Sequence, residues 1–115
     1  MKIVGRDTPL NHYQWGEQCD TWTMADNKGL SVKLERMPAA TAEQRHYHSM
    51  SQQFFYVLKG EAYFEVGQQS VTLLSDQGLL VEPGQIHRIA NRSAKDLEFL
   101  LVTQPAQSND RINAD

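Results

Sequence analysis

Three of the four histidines in this chain stand where their imidazoles could share one ion. His46 and His48 are separated by a single residue. On a β-strand, residues i and i+2 point to the same face with Cα atoms about 6.5–7 Å apart, so two rings placed this way can converge on a metal. His87 follows Pro83-Gly84 roughly forty residues later, on a segment that a closed sheet would bring alongside. Three neutral imidazoles suit zinc, iron, nickel, manganese or copper. The pair alone says little, because four histidines produce an i, i+2 spacing by accident about once in ten such chains. Taken singly, His46 and His48 read equally well as polar surface residues, and His87 as a hydrogen-bonded turn residue. His12, in a polar N-terminal arm, reads as exposed.

The elements that would carry these residues are short strands. Residues 30–37 alternate, with Val32, Leu34 and Arg36 on one face and Ser31, Lys33 and Glu35 on the other. Residues 53–59 are almost all aromatic or branched. Lys59-Gly60 then turns the chain into 61–66, where Ala62, Phe64 and Val66 share a face. Further strands are expected at 71–74, 79–81, 86–91 and 97–103, with turn residues between them. Strands of this length and spacing indicate an all-β sandwich or barrel, and no window shows helical periodicity. The barrel core is expected at about 28–103, with an N-terminal arm at 1–27 and a loose polar tail at 104–115. The arm reads as a strand on the sheet edge or over a partner subunit.

If Gln53 faces inward, alternation takes Phe55 and Val57 with it, and Phe64 lies across the hairpin. These three, with Arg36 from the apparently inward face of 30–37, are the candidate lining of a small-molecule pocket. An inward arginine requires an anionic partner, which makes Arg36 the candidate for a substrate carboxylate. The segment Phe54-Phe55-Tyr56-Val57-Leu58 is apolar on both faces, and Leu100, Leu101 and Val102 repeat the pattern. A strand of this kind needs cover on both sides, and a homodimer supplies it economically.

Bulk properties narrow the partners. The 115 residues suffice for one domain, and 11 basic against 14 acidic residues give a net charge of −3. Scattered basic residues argue against nucleic acid, which selects for clustered Lys and Arg. No apolar run approaches the ~18 residues of a membrane span, and the N-terminus has no apolar leader. The lone Cys19 forms no internal disulfide, so a cytoplasmic location is expected.

Around the histidines the chain runs Ala40-x5-His46-x-His48-x4-Gln53-x6-Gly60, then, after fifteen residues, Asp76-x5-Glu82-x-Gly84-x2-His87-x3-Asn91. This resembles the two conserved stretches of the cupin superfamily at matching spacing, as in its small single-domain members. Ala40 and Asp76 stand where the family has turn glycines, and Glu82 where it has proline. The resemblance implies a double-stranded β-helix (jelly-roll) barrel forming one cupin domain over 1–115. It also implies one divalent metal per chain on His46, His48, His87 and position 53. Gln53 replaces the family's metal-binding glutamate. An amide oxygen leaves the ion's full charge uncancelled, so affinity is expected to fall and a bound water to become more acidic. The resemblance further implies a small organic substrate and dioxygenase, isomerase or lyase chemistry. The alternative is a barrel that binds or senses a small molecule without reaction. Asn91 is expected to brace the turn near His87.

Overall fold

The computed structural model describes residues 1–106 and 109–114. Among the described residues, twelve strands form two antiparallel sheets: β1 (Asn11–Trp15), β2 (Cys19–Asp26), β3 (Ser31–Met37), β4 (Thr41–Ala42), β5 (His46–His48), β6 (Gln52–Lys59), β7 (Ala62–Val66), β8 (Gln69–Leu73), β9 (Gly78–Val81), β10 (His87–Asn91), β11 (Leu97–Gln104) and β12 (Arg111–Asn113). One sheet has the order β1-β2-β3-β11-β6-β9. The other has β12-β5-β10-β7-β8, with β4 also paired to β10. The fold is all-β, as the strand pattern and turn spacing predict, and it is the jelly roll that the resemblance implies. The described residues include no helix long and apolar enough to cross a membrane.

Register decides which side chains face between the sheets. On β3, β11 and β6 the cross-strand rows are Glu35–Phe99–Val57, Lys33–Leu101–Phe55 and Ser31–Thr103–Gln53. Directly paired residues share a face, so Gln53, Phe55 and Val57 point inward together, as alternation requires. The same rows carry Ser31, Lys33 and Glu35 inward and turn Val32, Leu34 and Arg36 outward. This reverses the expectation for β3. Its polar face lines a cavity, and its apolar residues join an outer apolar surface of rows Trp22–Leu34–Leu100–Tyr56 and Val32–Val102–Phe54–Leu80.

The core fills the other end of the barrel. Met37, Val57, Ala62, Phe64, Val81, Ile89, Leu97 and Phe99 are almost wholly buried. Phe55 stacks edge-on against Phe64 with ring centroids 4.8 Å apart. The N-terminal arm is a hairpin, β1 and β2, added to the edge of the first sheet beside β3. The C-terminal segment is not a loose tail over its described part: β12 pairs with β5, and Asp110 is buried just before it. Asn91 is a brace, and the turn it holds is the one after β10. Its side chain donates to the carbonyls of Met37 and Lys95 and accepts from Ser93.

Both positions that differ from the family's turn glycines keep a glycine-like backbone. Ala40 has φ 62° and Asp76 φ 68°. A Cβ at left-handed φ is strained, so these two turns hold a conformation that their side chains disfavour.

Candidate metal centre

The histidines are positioned by one pairing and one turn. His87 on β10 lies directly opposite His46 on β5. Gly84, at φ 83°, lets the 82–85 turn close, and its N–H donates to the carbonyl of His48 at 2.8 Å. This bond ties the loop before β10 to the end of β5. Ring centroids are 4.4 Å apart for His46 and His87, 5.2 Å for His46 and His48, and 6.2 Å for His48 and His87. Three imidazoles drawn from two separate stretches of chain therefore lie side by side between the sheets, with His46 and His87 the nearest pair and His48 at the edge.

Each ring is held by its Nδ1 atom. His46 Nδ1–H donates to the Gln44 carbonyl at 2.7 Å, and His87 Nδ1–H to the Gln85 carbonyl at 2.9 Å. His48 Nδ1 bonds Asp110 Oδ1 at 2.8 Å. A proton fixed on Nδ1 leaves Nε2 with its lone pair, the arrangement that protein shells impose on metal-binding histidines. Burial lowers both the His46 pKa, to about 3, and the His87 pKa, so these two rings are neutral near pH 7. Asp110 is the buried anchor of the third. Burial alone would raise its pKa, but bonds from His48 and from the N–H groups of Met50 and Ser51 outweigh that and hold it low.

Gln53 is aimed at the same place. Its Nε2 donates to Thr103 Oγ1 at 3.1 Å, and its Oε1 lies 3.1 Å from His87 Nε2. With the His87 proton on Nδ1, two lone-pair atoms face each other at that distance. Either a half-turn of the amide, which brings its N–H to His87 Nε2 and its oxygen to the Thr103 hydroxyl, or a cation bound by both atoms relieves the repulsion; the separation is near the ~3.0 Å of two ligands at right angles on an ion with ~2.1 Å bonds. The donor set therefore fits a divalent ion.

Besides Asp110, sequence reasoning missed two further carboxyl groups here. The Glu43 backbone pairs with the Ile89 carbonyl, and its Oε1 accepts from Ile89 N–H at 3.3 Å. One oxygen of Glu43, one nitrogen of His46 and one of His87 all lie within 4.8 Å of one another. Glu35, on the opposite wall, is 7% exposed. Burial raises the Glu35 pKa to about 7, against the opposing pull of Lys33, Thr21, Arg111 and Trp15. Burial, then repulsion from Glu35, raises that of Glu43 to about 8. The β3 alternation concealed Glu35, and Glu43 lies in an irregular stretch with no pattern to aim it.

A cavity of about 630 Å³ opens from the histidines between the sheets. Tyr13, Trp15 and Phe55 give it aromatic walls, and Lys33 and Arg111 give it cations. Of the four residues expected to line a pocket, Phe55 does so. Val57 and Phe64 face inward but belong to the packed core. Arg36 is outside, bound to Asp20 and Asp96, because the face of β3 that carries it is the outer one. Its place as the cation in the cavity is taken by Arg111, directly across from His48.

The sheet topology and the two histidine stretches define a cupin barrel. The family model for the cupin domain matches residues 33–103, and the chain belongs to this family. It is 40% identical over 93 residues to the tetracenomycin polyketide synthase protein TcmJ of Streptomyces glaucescens, covering 79% of this chain and 62% of that protein. The chain thus spans less than two-thirds of that relative's length. Among solved structures, it is similar to a double-stranded β-helix protein from Klebsiella pneumoniae, with TM-score 0.82 and 18% identity over 100% of this chain and 98% of that one. An RmlC-like cupin from Shewanella frigidimarina gives TM-score 0.83 and 16% identity over 95% of each chain. A predicted oxalate decarboxylase from Thermotoga maritima gives TM-score 0.80 and 20% identity over 91% of this chain and 99% of that one. At these identities the structural likenesses establish the fold alone.

Proposed function

We propose that the protein holds one divalent transition metal on His46, His48 and His87, with the Gln53 amide oxygen beside them, and acts on a small, flat, oxygen-bearing organic molecule. The observation that carries this reading is the orientation of the three rings, each secured through Nδ1, with the Nε2 of His87 facing the Gln53 amide. When bound, the ion would supply Lewis acidity toward a carbonyl or enol oxygen.

The cavity walls define the rest of the reading. The volume is that of a small-molecule site, and the rings of Tyr13, Trp15 and Phe55 offer stacking surface to an unsaturated ligand. Arg111 and Lys33 favour acidic oxygens. Glu35, with its pKa raised to about 7, holds or releases a proton at its carboxyl within the neutral range, which is where a general acid or base works best. The likeness to TcmJ favours a polyketide-like substrate. These features favour an isomerase- or lyase-type proton shift over simple storage of a ligand. We place the protein in the cytoplasm as a homodimer, on its single buried cysteine and on the outer apolar rows of the first sheet, where Phe54 and Leu80 are 40% and 48% exposed.

Trp15 reports on the cavity, whereas Trp22 lies on the outer face. Titration of zinc-loaded protein with a dihydroxyanthraquinone is expected to quench Trp15 fluorescence, with at least tenfold weaker binding in His46→Ala. Equal quenching in both proteins, or none in either, would refute a metal-dependent site for such molecules.

A further inference from the structure

Gln53 poses a charge problem that the surrounding residues answer. Three neutral imidazoles and an amide leave a divalent ion at +2 in a site beside Arg111, whose charge opposes protonation of both His46 and His87. An uncompensated charge of that size between two sheets is costly. A carboxylate in reach would cancel part of it, and the strand that supplies one in the family's pattern carries Gln53 instead.

We infer that Glu43, from the opposite sheet, is the carboxylate ligand of this centre. This rests on the three-histidine reading above and adds to it a residue outside the ligand pattern read from the sequence. Three observations support it. The Glu43 oxygen and a ring nitrogen each of His46 and His87 lie within 4.8 Å of one another, close enough for a small inward shift of the side chains to set them around a single ion. The Glu43 backbone bonds to β10 at Ile89, two residues beyond His87, and this fixes the position of its side chain. Its Oε1 bond to Ile89 N–H is long, at 3.3 Å, and no other side chain among the described residues neutralises it by an ion pair. Asp110 does not compete for the role, because its oxygens are committed to His48, Met50 and Ser51.

The exchange is therefore one of position. The carboxylate has moved from β6 to the stretch between β4 and β5, and Gln53 keeps only a neutral oxygen at the old place. A site built this way faces a ligand differently, because the wall on the β6 side is uncharged and the negative charge lies against β10.

Zinc affinity by competition with a chromogenic chelator, and the visible spectrum of the cobalt(II) protein, test the assignment together. The wild type, Glu43→Gln, Gln53→Ala and His87→Ala are compared, with thermal unfolding of each metal-free protein as the check on folding. Glu43→Gln is expected to bind zinc at least tenfold more weakly and to shift the cobalt bands, a larger loss than in Gln53→Ala, which removes only a neutral amide oxygen. Adding Gln53→Glu to Glu43→Gln is expected to restore affinity, and this arm stands even if the single variant is partly unfolded. An unchanged affinity in Glu43→Gln would overturn the inference. So would a lower affinity with an unchanged cobalt spectrum, which would make Glu43 a distant charge and not a ligand. A wild type that binds no metal would instead overturn the three-histidine reading itself.

Discussion

Replacing Glu35 with glutamine should stabilise the metal-free protein, and only above acid pH. Glu35 is nearly inaccessible, and burial raises its pKa from 4.5 to about 7. Between those two values the folded state binds more protons than the unfolded state, so folding loses free energy as pH rises. The penalty is absent below pH 4.5, grows through the interval and is complete above about 7. A rise of about 2.5 pH units at about 1.4 kcal/mol each amounts to about 3 kcal/mol. Glutamine is nearly isosteric and carries no charge to desolvate. It also relieves Glu43, whose pKa is raised in part by Glu35. Urea unfolding with a chelator present, at pH 4, 6 and 8, should show the variant level with the wild type at pH 4. At pH 8 the variant should be more stable by about 1–3 kcal/mol. An equal difference at all three pH values, or a wild type that gains on the variant as pH rises, would refute the buried carboxyl and the inward face of β3 with it.

Other perturbations test separate parts of the structure. Ala40→Gly and Asp76→Gly relieve left-handed backbone and should each raise stability by about 0.5–1 kcal/mol in the same unfolding assay. Asp110→Asn removes the charge that orients His48, and zinc affinity should fall by about 10- to 100-fold with the fold retained by circular dichroism. The outer apolar rows predict a dimer in sedimentation velocity at micromolar concentration, and Phe54→Lys with Leu80→Lys should yield monomer. A wild type that sediments as monomer at that concentration would contradict the dimer.

The strands between residues 30 and 103, and the shared face of Gln53, Phe55 and Val57, were largely legible because they depend on alternation and on turn residues, both local properties. The three histidines were legible through the two stretches that resemble the cupin pattern, because the i, i+2 pair and the Pro-Gly turn alone fit surface residues equally well. The face of β3 was not. Alternation identifies which residues are apolar, and it equates apolar with inward. A barrel with a polar cavity inside and an apolar surface outside inverts that rule over the strands lining the cavity, so Glu35 and Lys33 read as solvent-facing and Arg36 as buried. Asp110 and Arg111 were illegible for a different reason. Their segment has too little apolar mass to predict a strand, and it is ordered by pairing with β5 and by the hydrogen bonds of one buried aspartate. Glu43 depended on a backbone pairing to Ile89, 46 residues away, that no local pattern reveals.

The central claim is that His46, His48 and His87 bind one metal ion. Elemental analysis of protein purified without chelator and equilibrated with one equivalent of zinc, beside His46→Ala and His87→Ala treated alike, addresses it directly. The account predicts about one ion per chain in the wild type and less than a tenth of that in either variant. A wild type that leaves gel filtration free of metal, or variants that retain as much as the wild type, would contradict it.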